Sequence, residues 1–323
     1  MNLVRNGVAA ALFVILAALA VNAETKVPSA KPYLGRWDVV LKDSVGKSYP
    51  TWLEISELDG KIQVRMVARW GHARVLPKAE LTDAGLSFTS PKEEEGGKDT
   101  DMVFEGKLSG KTIAGTVNGP DGAKWTWTGK PAPSLTRKGA PLWGKPVTLF
   151  DGKDIAAWHP SDAAAKSVWK IENGTLISPG HGAELITNDK FEDFKLHIEF
   201  NRAKGSNSGV YLRGRYEVQI EDDPEPENET MRTGGVYGFL APTPEVPRIP
   251  GTWQAYDITL VGRMVTVALD GKTIIDNQEI PGITGGALDS EESLPGPIYL
   301  QGSEEGHVAF RNIVMTPVVS TKK

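Results

Sequence analysis

From Gly35 to about Lys130 apolar and polar residues alternate in steps of two, the period of a strand with one face buried. Thr51–Leu58 runs into Asp59-Gly60 and then Lys61–Val67. Asp-Gly between two alternating runs is a strong hairpin signal, because both central residues of the tight turn need positive φ. Further runs at Gly85–Thr89, Asp101–Leu108, Thr112–Val117 and Lys124–Thr128 are punctuated by Ser109-Gly110 and Asp121-Gly122. Residues 31–132 thus predict about eight short strands in a small antiparallel barrel or sandwich, with no helix.

The stretch Lys130-Pro131-Ala132-Pro133, continuing to Pro141, is proline-rich and poor in apolar residues. It predicts an extended linker over 133–146. Alternation resumes over 147–317, with strands at Lys195–Asn201, Gly209–Arg213, Tyr216–Glu221, Tyr256–Leu260, Val265–Leu269, Lys272–Ile275, Ile298–Leu300 and Val308–Met315. Asp270-Gly271 marks another hairpin, and Asp222–Glu229, Pro242–Pro250 and Thr284–Pro297 read as loops. Two packed antiparallel sheets of jelly-roll type are the natural way to bury so many strands. The fold class expected is all-β, a small N-terminal domain followed by a jelly-roll sandwich.

Composition adds limits. Arg5, the apolar run Val8–Val21 and the small residues around Ala23 predict a cleaved secretory signal over 1–23, hence a secreted or periplasmic protein with no transmembrane segment after cleavage. That run is shorter than the ~20 residues of a spanning helix. The chain has no cysteine, so disulfides are impossible and the core alone must hold it together. A net charge of −5 without a basic block argues against nucleic acid as a partner.

The sequence lacks a phosphate-binding loop, a His-Glu-x-x-His pair and a Gly-x-Ser-x-Gly elbow; the nearest approach, Gly205-Ser206-Asn207-Ser208-Gly209, has Asn207 in the serine position. Candidate chemistry comes instead from faces. Leu196, Ile198 and Phe200 leave His197 and Glu199 opposite; Val210 and Leu212 leave Tyr211 and Arg213; Val218 and Ile220 leave Glu217, Gln219 and Glu221. If these strands pair in order, His197, Glu199, Tyr211, Arg213, Glu217 and Gln219 share one surface. Mixed carboxylates, a guanidinium, a phenol and an amide suit a polyhydroxylated ligand. Tyr237, Trp253 and Tyr256 could stack on a sugar, and Gly234-Gly235-Val236-Tyr237-Gly238 would let backbone approach it. Cross-strand charge pairs on an ordinary solvated sheet produce the same pattern.

The blocks Leu149-Phe150-Asp151-Gly152-Lys153-Asp154, Gly174-Thr175-Leu176, Phe194–Phe200, Asn207–Ile220, Gly234–Gly238, Pro250–Ile258 and Phe310-Arg311-Asn312-Ile313 resemble the 3-keto-disaccharide hydrolase domain family, in the family's order. The resemblance implies a concanavalin-like jelly roll over 147–317 and a carbohydrate partner, a glycoside already oxidised at sugar carbon 3. It implies Glu199 or Glu217 for acid–base work, Arg213 for electrostatic stabilisation or positioning, and Asn207, Gln219, Tyr237 and Trp253 for holding the sugar, with His197, Tyr211 and Gln301 as further substrate contacts. Many relatives carry a Gln-Gly-Asp-His-Gly turn where this chain has Gln301-Gly302-Ser303-Glu304-Glu305-Gly306-His307. A divalent cation is an open possibility, with Glu184, His197, Glu199 and Glu217 as oxygen and nitrogen ligands of no diagnostic spacing. A non-catalytic carbohydrate-binding module and a cell-envelope interaction protein are the competing readings, since fold alone does not fix function.

Overall fold

The computed structural model describes residues 29–67, 71–91, 101–162, 169–178, 184–222, 228–247, 249–303 and 306–319; the expected signal over 1–23 lies outside them. Among the described residues the architecture is all-β, with a single short 3-10 turn at Glu229–Met231 and no helix long and apolar enough to cross a membrane.

The N-terminal strands are β1 (Gly35–Lys42), β2 (Ser48–Leu58), β3 (Lys61–Val67), β4 (Ala73–Val75), β5 (Lys78–Thr82), β6 (Gly85–Ser90), β7 (Met102–Ser109), β8 (Thr112–Asn118) and β9 (Lys124–Pro131). They form one antiparallel sheet in the order β4-β3-β2-β1-β9-β8-β7-β6-β5. The sheet curls until β5 returns against β3, making a half-barrel. Trp37, Val39, Leu53, Ile55, Val64, Met66, Phe88, Phe104, Ile113 and Trp127 fill its interior. The β2–β3 turn is the expected one, with Asp59 and Gly60 at φ 51° and 71°.

The second region contains β10 (Val147–Phe150), β11 (Trp158–Pro160), β12 (Lys170–Glu172), β13 (Thr175–Ser178), β14 (Leu185–Thr187), β15 (Phe194–Arg202), β16 (Asn207–Leu212), β17 (Tyr216–Glu221), β18 (Trp253–Val261), β19 (Met264–Leu269), β20 (Lys272–Glu279), β21 (Tyr299–Leu300) and β22 (Val308–Pro317). An eight-stranded sheet runs β12-β13-β22-β15-β18-β19-β20 with β10 also on β22; a five-stranded sheet runs β11-β14-β21-β16-β17. Their facing sides supply one core, Leu196, Ile198, Phe200, Ile258 and Phe310 from the first meeting Leu185, Val210, Val218, Ile220 and Leu300 from the second. This is the jelly-roll sandwich that the alternation implied. The first part of the linker is held down: Leu135 is buried, and Arg137 pairs with Asp193 and Glu192, each at 2.6 Å.

The half-barrel and the sandwich share buried surface. Trp52, Val67 and Ala73 turn outward from the half-barrel and join the sandwich core, where the Trp52 indole meets Phe239 edge-on at 5.2 Å. Full burial of one large apolar side chain stabilises by roughly 1.5–3 kcal/mol. The partly exposed Arg36–Glu279 pair across the same boundary, at 3.0 Å, contributes at most about 1 kcal/mol. The docking therefore rests on the apolar contact.

A buried polar network closes the boundary's other end. Glu292, fully buried, accepts from Arg263 at 2.5 and 3.0 Å and from the Tyr216 hydroxyl at 2.6 Å, while Ser290 donates to the Val39 carbonyl at 2.7 Å. Asp38 of the half-barrel lies against Glu292. Burial, then the Glu292 charge and a hydrogen bond to Glu292, push the Asp38 carboxyl up to about 9, so it stands protonated at neutral pH. A carboxyl raised on folding contributes stability that is fully present below the ordinary aspartate range and is lost as pH rises through about 9. Thermal unfolding of the wild type followed from pH 5 to 10 should show this loss, and Asp38→Asn should flatten it; equal slopes in the two proteins would refute the assignment.

Candidate functional site

The five-stranded sheet has one face in the core and one turned away from it, and its register lines up the outward side chains in rows. His159 pairs with Ile186, Ile186 with Tyr299, Tyr299 with Tyr211, and Tyr211 with Glu217. The next row carries Ser161, Glu184, Gln301, Gly209 and Gln219, joined by Ser161 N–H to Glu184 O, Gln301 N–H to Gly209 O and the Gly209–Gln219 pair. Asn207 and Glu221 pair beyond it. The face is exposed at His159, half-buried at Glu184 and Ile186, and closed over at Tyr211, Glu217, Gln219 and Tyr299.

Glu217 occupies the space over Gly209. A Cβ at residue 209 would stand 2.1 Å from Glu217 Oε1, so only glycine leaves room for the carboxylate there. The Tyr211 hydroxyl lies 2.9 Å from both Glu217 Oε2 and the Gly285 carbonyl and donates its one proton to one or the other. Burial first, then the Glu217 charge and the neighbouring Tyr299, push the Tyr211 phenol well above its ordinary range, so it remains a donor. Tyr299 stacks on Tyr211 with ring centres 4.2 Å apart.

Two loops build the wall beside Glu217. Segment 233–240 pairs with the free edge of β17: Gln219 exchanges hydrogen bonds with Gly234 and Gly235, and the Tyr237 amide donates to the Glu217 carbonyl. This brings Tyr237 near Tyr211, whose phenol it also helps to raise. Segment 280–297 supplies Thr284, whose hydroxyl accepts from the Glu217 amide at 3.1 Å, and Gly285.

The structure brings Tyr211, Glu217, Gln219 and Tyr237 together, with Asn207 and Gln301 in adjoining rows. It separates the rest. The expected in-order pairing fails because β15 and β16 belong to different sheets: β15 pairs with β18 and β22, and the short Ala203–Ser206 connection carries the chain across the sandwich. His197 and Glu199 therefore stand on the outer face of the eight-stranded sheet. His197 Nδ1 lies 2.7 Å from Asp257, and Glu199 accepts from Arg311 at 2.6 Å and from Asn312 at 2.5 Å. Trp253 is on that same face under the Arg311 guanidinium, 4.0 Å from its ring centre. Partial burial works against ionisation of Glu199, but the hydrogen bonds from Asn312 and Arg311 outweigh it and hold its carboxyl below the usual range.

Arg213 is displaced too. It sits in the β16–β17 turn at φ 54°, fully buried, and donates to the Gly262 carbonyl at 2.6 Å and toward Tyr216 at 3.3 Å. Turn geometry swings it out of the alternation and into the network around Glu292, away from Glu217. Tyr256 is likewise a core residue, its hydroxyl donating to the Gln219 carbonyl at 2.6 Å.

Tyr299, Thr284 and Gly285 were not among the expected contacts. Tyr299 was within reach, because Ile298-Tyr299-Leu300-Gln301 alternates and Gln301 lies on the same side. Thr284 and Gly285 sit in a loop, where no periodicity points to them. Among the described residues no three His, Asp or Glu side chains gather closely enough to hold a metal ion. The four candidate ligands divide between the two sheets, His197 and Glu199 on one, Glu184 and Glu217 on the other. Of the divergent turn, Glu304 and Glu305 lie outside the described residues, whereas Ser303 is buried and its amide donates to Ser178 Oγ at 2.9 Å.

The profile of the 3-keto-alpha-glucoside-1,2-lyase-like domain family matches residues 145–316, more than half the chain. A 3-keto-disaccharide hydrolase of Bacteroides thetaiotaomicron is 33% identical over 86 residues, 24% of this chain and 29% of that protein, so the match spans under a third of the curated relative. Among solved structures, a provisionally assigned glycosyl hydrolase of Parabacteroides distasonis superposes with a TM-score of 0.47 at 27% identity, over 56% of this chain and 92% of its own. A second from that organism gives 0.41 at 26% identity, over 53% and 98%.

Proposed function

The chain belongs to the 3-keto-alpha-glucoside-1,2-lyase-like domain family, and from that premise we propose that it is an exported enzyme cleaving 3-keto-glycosides on the outward face of its five-stranded sheet. A ketone at C3 acidifies the C2 hydrogen. A base that removes it leaves an enolate, which expels the C1 substituent by β-elimination as the leaving oxygen takes a proton. Water then adds across C1 and C2, hydroxyl to C1 and hydrogen to C2, giving net hydrolysis. The face supplies the base as Glu217, seated over Gly209 and fixed by Tyr211. Tyr211, kept protonated by its surroundings, returns the hydrogen bond that steadies the carboxylate between turnovers. Gln219, Asn207, Gln301 and Tyr237 would hold hydroxyls, and half-buried Glu184, which accepts a hydrogen bond from Ser161 at 2.9 Å, lies farther along the same face. The four candidate cation ligands are split between opposite faces of the sandwich.

The observation that carries this reading is the register: one row across all five strands sets Glu217 beside the stacked Tyr211 and Tyr299, with Ile186 and then exposed His159 beyond them. Export rests on the apolar run Val8–Val21. Incubation of the protein with a 3-keto-glucoside tests the activity; unchanged substrate at high protein concentration would overturn it. Saturable glycan binding without turnover would favour the carbohydrate-binding module instead. Glu199→Gln, on the far face, should leave the rate within about twofold of wild type, as a surface substitution away from the chemistry; a large loss would move the site to the eight-stranded sheet.

A further inference from the structure

The site's two wall loops share a support that lies outside the matched domain. Gly282 precedes Thr284 and Gly285 in one loop, and a Cβ at residue 282 would stand 2.1 Å from Trp52 Nε1, so the indole lies directly on that backbone. Phe239 follows Tyr237 in the other loop and meets the same indole edge-on. Arg65 of the half-barrel completes the contact, its guanidinium 5.1 Å from the Phe239 ring centre and 3.4 Å from the Gly238 carbonyl. Trp52 is fully buried between these two loops. Each loop reaches Glu217 or Tyr211 within a few residues of its Trp52 contact, through the Tyr237 amide on one side and Thr284 and Gly285 on the other.

We propose that Trp52 of the N-terminal half-barrel is a positioning residue for the catalytic face, clamping the loops of Tyr237 and Thr284 so that Glu217 and Tyr211 keep their mutual geometry. The inference rests on the reading of that face as the active site. Its physical basis is the close-packed contact of a large rigid ring with two backbone segments that are neither helix nor strand and are tied to the sheet by only a few hydrogen bonds. The half-barrel is then part of the catalytic unit, and the sandwich alone would carry loosened wall loops.

The test uses the full chain with Trp52→Ala, Trp52→Phe and Gly282→Ala, and Glu217→Gln as the control for the site itself. Hydrogen exchange of residues 214–221, 232–241 and 280–287 reads the clamp without any substrate. Steady-state kinetics on a 3-keto-glucoside reads its consequence. Trp52→Ala and Gly282→Ala should speed exchange in the three segments while β7 and β8 stay protected. They should lower kcat about ten- to a hundredfold with KM changed far less, since misplacement is felt in the transition state. Trp52→Phe should recover most of the rate. Should Trp52→Ala lose protection throughout, Trp52→Phe and Gly282→Ala decide the matter by the same readouts. Unchanged exchange in the three segments, or wild-type kcat despite faster exchange, would overturn the proposal. An active Glu217→Gln would instead overturn the reading of the face, with the exchange data still reporting on the clamp.

Discussion

Replacing Glu217 by glutamine is expected to lower kcat on a 3-keto-glucoside by roughly 10²–10⁴-fold, the range for loss of a positioned general base. Glutamine keeps the length and the hydrogen bond from Tyr211, so the variant should remain folded. The effect should fall on kcat and kcat/KM together, because proton abstraction belongs to the transition state and not to binding. Gly209→Ala offers a geometric companion, since its Cβ would collide with Glu217 Oε1 and displace the carboxylate without altering its chemistry. Both variants are read by initial rates, with circular dichroism to check the fold. Near-wild-type rates for Glu217→Gln would remove Glu217 as the base.

The second large effect is on stability. Glu292→Ala strips Arg263 of its buried partner and Tyr216 of its acceptor. Breaking a buried pair from one side costs about 3–5 kcal/mol, because the surviving charge has no solvent. Asp38 would soften the loss, since the Glu292 charge is among the forces keeping it protonated and an ionised Asp38 could partner Arg263. Asp38→Asn combined with Glu292→Ala should therefore lose more than the sum of the single changes, a coupling that a double-mutant cycle in urea measures. Additive losses would mean that Asp38 does not take over the Arg263 charge.

Alternation was legible wherever a strand has one face in a core. Tyr216–Glu221 and the Asp-Gly turns at Asp59 and Asp270 came directly from the sequence because their local signals are strong. Alternation fixes which residues share a side of one strand, but it does not say which sheet the strand joins. His197 and Glu199 have the same pattern as Tyr211 and Glu217, and only the crossing at Ala203–Ser206 sends them to opposite sides of the sandwich. Arg213 was misplaced for a different reason: a positive-φ turn residue leaves the period of two. The wall contacts of Thr284 and Gly285, and the Trp52 clamp, depend on loop paths and domain docking, which have no periodic trace in the chain.

If cleavage begins with removal of the C2 proton by Glu217, the fate of that hydrogen records the step. A 3-keto-glucoside should be cleaved in D2O and the released sugar analysed by NMR, against an enzyme-free control for spontaneous exchange. Elimination followed by hydration predicts deuterium at C2 of the product from the wild type, and neither cleavage nor incorporation above the control with Glu217→Gln. Cleavage that leaves the C2 hydrogen in place, or incorporation undiminished by Glu217→Gln, would rule out Glu217 as the base that starts the reaction.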